Sequence, residues 1–187
     1  MSTPHAPTSG PVIRLSHGHG HGPTTLAAFD AALLSAGVAD FNLLRLSSVI
    51  PPGARVEVVT PDGQIRGEHG DLLYCVYACA TADRPGTHAW AGIAWALRPD
   101  GSGAGLFVEH QADSRTGLEA ALSATLGAMV TSRPEAYQES GRVLADVRCT
   151  DLPAAAVVVA SYRTVGWGDP PPPARSNPLA ATTGGAR

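Results

Sequence analysis

Four polar positions in this chain of 187 residues stand where a polar side chain needs a reason. The first is Asp30. At about 100° per residue, Leu26, Phe29, Leu33, Leu34, Ala36 and Gly37 fall on one arc of a helix, and Asp30 falls inside it. A carboxylate buried alone is strongly unfavourable, so Asp30 either pairs with a structural arginine or receives a cationic group of a ligand. The run Phe41 to Gly53 holds two more. Period-two alternation turns Asn42, Leu44, Leu46 and Ser48 to one side, so an amide and a hydroxyl share one space if the strand persists that far. The adjoining Ser47-Ser48 pair has a plain reading as well, a strand end before the break at Pro51-Pro52-Gly53. Glu109 follows Leu106, Phe107 and Val108. It is either a strand-end charge in water or an acid kept protonated by apolar neighbours.

Other chemistry is excluded or weakened by composition. All 13 basic residues are arginine. Pyridoxal phosphate is held as a lysine Schiff base, so that cofactor is closed to a lysine-free chain, and so is a Walker phosphate loop. His17, His19 and His21 alternate with glycine, and such tracts bind zinc or nickel adventitiously. No nearby carboxylate completes a defined site, so no catalytic metal is expected. The glycines read as positions of close backbone approach. Cys75, Cys79 and Cys149 are an odd count without zinc-finger spacing. They read as buried, reduced thiols, with Cys75 and Cys79 on one face of a strand.

A formal net charge of -3 gives no nucleic-acid footprint. No apolar run approaches the roughly 20 residues of a membrane span. Met1 to Gly10 lacks the regions of a signal peptide, and the expected location is the cytoplasm.

The elements that must position these residues are readable in outline. Residues 1–10 and the proline-rich tail 169–187 are expected to be disordered, leaving one domain over 11–168. Strands are expected at Val12–Ser16, Phe41–Leu46, Arg55–Thr60, Leu72–Ala80, His88–Leu97, Gly105–His110, Arg142–Cys149 and Ala155–Arg163. The segment His17 to Gly22 reads as a loop, and Arg98 to Gly103 as a hairpin connection. Thr24 or Thr25 caps a helix to about Ala36, stopped by Gly37. A second helix over Ser114–Ser132 has apolar residues at helical spacing and Pro134 beyond its end. Short links between strands favour mainly antiparallel sheet with helices packed outside, an α+β layered sandwich.

The segment from Gly18 to Pro52 carries a denser signal. Gly18-x-Gly-x-Gly22, Thr25-Leu26, Ala28-Phe29-Asp30-Ala31-Ala32-Leu33, Ala36-Gly37-Val38, Asn42-Leu43 and Leu46-Ser47-Ser48-Val49-Ile50-Pro51-Pro52 resemble the pyruvoyl-dependent arginine decarboxylases. Weaker similarity continues through Gly105-Leu106-Phe107-Val108-Glu109 and the long helix. Residues 54–87 match less clearly, and the two tails do not match.

The resemblance implies a four-layer α/β/β/α sandwich, assembled as a homotrimer with active sites between subunits. It implies autocatalytic scission between Ser47 and Ser48. The Ser48 hydroxyl attacks the Ser47 carbonyl, elimination leaves dehydroalanine, and hydrolysis leaves a pyruvoyl group on residues 48–187. That self-derived group is the implied cofactor, forming a Schiff base with the substrate amine and withdrawing electrons as CO2 leaves. By the same resemblance Asp30, Asn42 and Ser47 bind the substrate, and Glu109 donates a proton to the α-carbon. The implied reaction is arginine to agmatine and CO2, a step toward polyamines. Two other readings remain open: the same chemistry on another amino acid such as histidine, or an unprocessed homologue serving as a binding or structural module. A carboxylate at Asp30 favours a basic substrate, because it pairs bidentately with guanidinium.

Overall fold

The computed structural model describes residues 10–60 and 65–169. The expected disorder of the two ends therefore lies almost wholly outside the described residues. Nine strands and two helices form among them: β1 (Val12–His21), α1 (Thr25–Ser35), β2 (Asn42–Arg45), β3 (Val49–Ile50), β4 (Arg55–Val58), β5 (Leu72–Ala82), β6 (His88–Leu97), β7 (Gly105–Ala112), α2 (Arg115–Thr131), β8 (Gln138–Arg148) and β9 (Ala154–Val165).

They make two sheets, ordered β2-β5-β9-β1-β4 and β3-β7-β6-β8. The pairs β1–β4 and β2–β5 are parallel; the others are antiparallel. This is an α+β fold with mainly antiparallel pairing, and the Arg98 to Gly103 segment joins β6 to β7 as a hairpin. Small and β-branched residues fill the space between the sheets. Ile13, Leu15, Val76, Ala78, Ala156 and Val158 of the five-stranded sheet cluster with Ala91, Ile93, Trp95, Phe107 and Val143 of the four-stranded one. On its other face the five-stranded sheet packs Leu73, Cys75, Val157 and Val159 against Ala28, Ala32 and Leu33 of α1. Likewise Ala94, Ala96 and Val108 pack against Leu118, Leu122 and Leu126 of α2.

Both helices start on a hydroxyl cap: Thr24 accepts from the Ala27 amide at 3.1 Å, and Ser114 from the Gly117 amide at 3.3 Å. Gly37 ends the first turn of chain after α1 at φ 76°. Its amide and that of Val38 bond back to Leu34 and Leu33, which satisfies carbonyls the helix end would leave bare.

Two expectations fail here, for one reason. The His-Gly segment is not a loop; it continues β1 to His21, with glycines buried and histidines exposed in strict alternation. A Cβ on Gly18 would lie 2.4 Å from the Ala32 carbonyl oxygen, and one on Gly20 2.5 Å from the Ala31 side chain. The glycines are there so that α1 can lie directly on the strand, the close approach expected of them. Directly over the glycines such an approach admits only small residues, hence Ala28, Ala32 and Ala36. Two of the leucines expected on the buried arc are turned away: Leu26 and Leu34 are 74% and 68% exposed, and Asp30 between them is exposed too. Asp30 does not lie within a buried apolar arc.

Candidate active site

β2 belongs to one sheet and β3 to the other, so the chain crosses between sheets through Leu46-Ser47-Ser48. This crossing makes the site. The strand does not persist to Ser48, because β2 stops at Arg45. Ser48 takes φ 65°, the only positive φ outside glycine among the described residues. That conformation costs a non-glycine residue about 1–3 kcal/mol. It is held from both sides: the Phe107 amide donates to the Ser48 carbonyl at 2.8 Å, and the Tyr162 hydroxyl donates to the Val49 carbonyl at 2.9 Å.

Glu109 shares with Phe107 the face of β7 that meets the other sheet, since the two are two residues apart on one strand. Its carboxylate accepts from the buried Ser48 hydroxyl at 2.8 Å through Oε2 and 3.1 Å through Oε1. Arg45 reaches the same Oε1 at 3.3 Å, while its guanidinium lies 5.0 Å from the Tyr77 ring centre in cation–π contact. The Glu109 side chain is 19% exposed, so a hydroxyl donor and a guanidinium converge on a carboxylate largely removed from water. Hydrogen bonds to such a charge are roughly twice as strong as neutral ones.

Tyr162 is positioned by an irregularity. The register of β5 against β9 shifts between Tyr74 and Cys75, whose partners are Arg163 and Ser161. The extra residue on β9 is Tyr162, and a bulge of this kind re-aims one side chain. Its ring meets Phe107 edge-on at 6.2 Å between centres. Burial, and secondarily the negative charge of Glu109, push its phenol well above the usual range. Tyr162 is therefore a neutral hydroxyl donor at every physiological pH.

Beside Ser48 opens a cavity of about 300 Å³, lined among others by Leu46, Ser47, Glu109, His110, Thr125 and Met129. His110 Nε2 lies 2.7 Å from Thr125 Oγ1. A smaller space of about 100 Å³ shares Glu109 and His110 and reaches Arg45, Tyr77 and Cys79. Burial raises the Cys79 thiol to about 11 and that of Cys75 to about 12, which suppresses thiolate reactivity. All three cysteines are free.

Of the residues singled out in the sequence, the structure brings Ser47, Ser48 and Glu109 together. It does not bring Asn42 or Asp30 to them. The Asn42 amide donates to the Gly70 carbonyl at 2.6 Å, and neither residue lines the two cavities. Arg45, Tyr162, His110 and Thr125 were not read from the sequence. Arg45 lies inside the Phe41 to Gly53 run without a local sign of a role, and nothing local marks Tyr162. Among the described residues no group of three or more His, Cys, Asp and Glu could hold a metal ion, and no helix is long and apolar enough to cross a membrane.

Comparison with known proteins adds a second, independent line. The family model of pyruvoyl-dependent arginine decarboxylase matches residues 12–162. A pyruvoyl-dependent arginine decarboxylase of Halobacterium salinarum (strain ATCC 29341 / DSM 671 / R1) is 40% identical over 158 residues, covering 81% of this chain and 94% of that protein. Those of Methanocaldococcus jannaschii and Thermoplasma volcanium are 37% identical over 99 residues and 36% over 104, each covering 57% of the relative and 53% and 56% of this chain. The matched region contains the whole Ser48–Glu109 cluster and both helices, and on this evidence the chain belongs to the pyruvoyl-dependent arginine decarboxylase family.

Proposed function

We propose that the chain converts L-arginine to agmatine and CO2, using a pyruvoyl group made from its own Ser48. The observation that carries this reading is a buried serine hydroxyl on a carboxylate, at a backbone position of positive φ, in a chain of this family.

The contact of Ser48 with Glu109 supports a self-processing sequence. Glu109 takes the Ser48 hydroxyl proton as Oγ attacks the Ser47 carbonyl carbon. The C–N bond breaks, its nitrogen gains a proton, and an ester joins the two parts. Removal of the Ser48 Cα proton to a base, with cleavage of the Cβ–Oγ bond, forms the Cα=Cβ double bond of dehydroalanine and releases residues 1–47 with a carboxylate end. Water then replaces the nitrogen, ammonia departs, and residues 48–187 begin with a ketone. The strain at Ser48 is relieved in this sequence, and the bonds from Phe107 and Tyr162 keep the segment in place while it happens.

Once formed, the group supplies a carbonyl that condenses with the substrate amine and draws electrons from the bond to the departing CO2. The chain's own residues do the rest. Glu109, freed of the serine hydroxyl, is placed to return a proton at the substrate α-carbon. Leu46, Val108 and Met129 limit water in the cavity, and Ser47 stands at its wall.

The guanidinium end of arginine needs a carboxylate, and Glu109 is the sole one lining the cavity. Asp30, exposed between Leu26 and Leu34 on α1, supplies it, together with Asn42, from a neighbouring copy in a homotrimer. An apolar-flanked acid facing outward supports that assembly better than a role within one protomer. The layers are read as α1, five-stranded sheet, four-stranded sheet and α2, an α/β/β/α sandwich. The working compartment is the cytoplasm, and neither pyridoxal phosphate nor a metal is required.

Intact-mass analysis of the purified protein tests the reading. Two species divided at Ser47/Ser48, the larger blocked to N-terminal sequencing, and CO2 release from arginine in preference to histidine or acidic amino acids are expected. A continuous chain in an active preparation overturns it.

A further inference from the structure

The carboxylate of Glu109 has two opposite tasks. It must be ionised to take the proton of the Ser48 hydroxyl, which donates to it at 2.8 Å. It must carry a proton in order to deliver one to the substrate α-carbon. Something near it has to favour the first state in the whole chain and the second after scission.

Arg45 is built to do the first. It is the last residue of β2 and pairs in register with Cys75 of β5. The Leu46 amide after it donates to the Cys75 carbonyl at 2.8 Å, which fixes where its side chain starts. The guanidinium then bridges the two sheets. Its Cζ lies 5.0 Å from the Tyr77 ring centre on β5, and Nη2 donates to Glu109 Oε1 on β7 at 3.3 Å. The ring contact steadies the cation, and an opposite charge this close favours the ionised carboxylate.

The other titratable groups around Glu109 do not replace it. Tyr77 and Cys79 of β5 and His110 of β7 line the same small space. Burial raises the Cys79 thiol to about 11. Burial first, and the charge of Glu109 second, keep the Tyr162 phenol of β9 neutral. The His110 ring is bonded to Thr125 on α2, and the partner of Glu109 on β6 is Ile93. Among the described residues Arg45 is the one cation paired with Glu109.

Scission changes the charges around this pair. It places Arg45 in one fragment and Glu109 in the other, and it leaves a carboxylate on Ser47, which lines a cavity together with Glu109. Two residues of extended chain span at most about 7 Å, so the new anion arises within reach of the Arg45 side chain. There it competes with Glu109 for the guanidinium. As a like charge beside Glu109 it also disfavours a second ionised carboxylate. Given scission at Ser48 as proposed above, we infer that Arg45 is the positioning residue that keeps Glu109 ionised in the whole chain, and that the Ser47 carboxylate made by the cut draws this hold away. Glu109 is thereby left to carry a proton during turnover.

Full-length chain from cell-free synthesis, shifted to a series of pH values and followed by intact mass, gives the rate of scission. CO2 release from arginine, divided by the amount of large fragment, gives turnover. In Arg45→Gln the pH at which scission reaches half its plateau should rise by about one unit or more, as loss of a neighbouring opposite charge implies, with the alkaline plateau within about threefold of wild type. Arg45→Lys keeps the charge and should hold that half-point within about half a unit of wild type. Turnover needs the protonated acid, so its alkaline limb in Arg45→Gln should move less than half as far as the scission profile. Far-UV circular dichroism should be unchanged, since the Arg45 side chain is 55% exposed. Scission slowed equally at every pH, an unmoved half-point, or a lysine variant displaced as far as the glutamine one overturns the proposal. So does a turnover profile that moves as far as the scission profile, which leaves the Ser47 carboxylate no part. A wild-type chain that stays continuous overturns the reading of Ser48 and this inference with it, whereas a wild type that divides beside an Arg45→Gln chain with an unmoved half-point defeats this inference alone.

Discussion

Ser48 Oγ lies 2.8 Å from Glu109 Oε2, and Arg45 holds the other oxygen of that carboxylate at 3.3 Å. The serine is thus paired with an acceptor whose orientation is fixed from a different strand. Glu109→Gln keeps the shape and removes the base. Proton transfer by a positioned group is worth about 10²- to 10⁴-fold, so scission should slow by that order, followed by intact mass during incubation. Ser48→Ala should abolish it, and a processed Ser48→Ala chain would remove the hydroxyl from the mechanism.

Tyr162→Phe should separate holding from chemistry. The variant keeps the ring against Phe107 but leaves the Val49 carbonyl without its donor. Loss of such a bond costs about 0.5–1.5 kcal/mol, so processing should be slower by severalfold and still go to completion. A rate equal to wild type would show that β3 needs no such support.

Asp30→Asn should behave in the opposite way. Asp30 is exposed on α1 and lines neither cavity near Ser48, so the two-fragment pattern should be unchanged. Activity on arginine should fall by tenfold or more, chiefly as a raised KM, because a charge-assisted pair worth about 1.5–3 kcal/mol is lost. Unchanged kinetics would place the guanidinium receptor elsewhere.

Gly20→Ala tests the close contact of α1 with β1. The new methyl would meet the Ala31 side chain at 2.5 Å and the Ala32 amide nitrogen at 2.6 Å, and backbone does not yield as a flexible side chain does. Overpacking of this kind costs about 1–3 kcal/mol, visible as a lower denaturant midpoint. A fully stable variant would mean that the helix shifts freely on the sheet.

Alkaline stability should carry the mark of Cys75. Burial raises its thiol from 9.0 to about 12, so between those values the unfolded chain loses a proton that the folded one keeps. The contribution is fully present below pH 9 and declines as pH rises, by about 1.4 kcal/mol per pH unit for one proton. Cys75→Ala should flatten the fall in denaturation free energy over that interval; an unaltered slope would exclude the thiol as its source.

Much of this architecture was legible in the residues. Pro51-Pro52-Gly53, Gly37 and the strands over 72–80 and 88–97 announced themselves through backbone restriction and β-branched or apolar runs, the first running two residues longer in the structure. The helix face was misjudged because leucines weighed more than alanines in the arc, whereas the depth of contact was set by glycines on the strand beneath. Ser48 and Glu109 were identified individually, through the resemblance. Their meeting depended on β3 leaving one sheet for the other, a long-range fact without local trace. Arg45 and the bulge at Tyr162 were hidden for the same reason, since each acquires meaning only from a partner far along the chain.

The sheet order has a further consequence for the life of the molecule. β1 is hydrogen-bonded on one side to β9 and on the other to β4, and both neighbours lie after Ser48. A cut at that serine would leave the first fragment woven into the second, with no covalent tether and no easy exit. Folding would be possible once, while the polypeptide is whole and its ends share a high effective concentration. After maturation, heat or denaturant would separate two strangers that must find each other by diffusion. Such a protein would endure by the slowness of its unraveling, and each copy that came apart would have to be replaced by new synthesis.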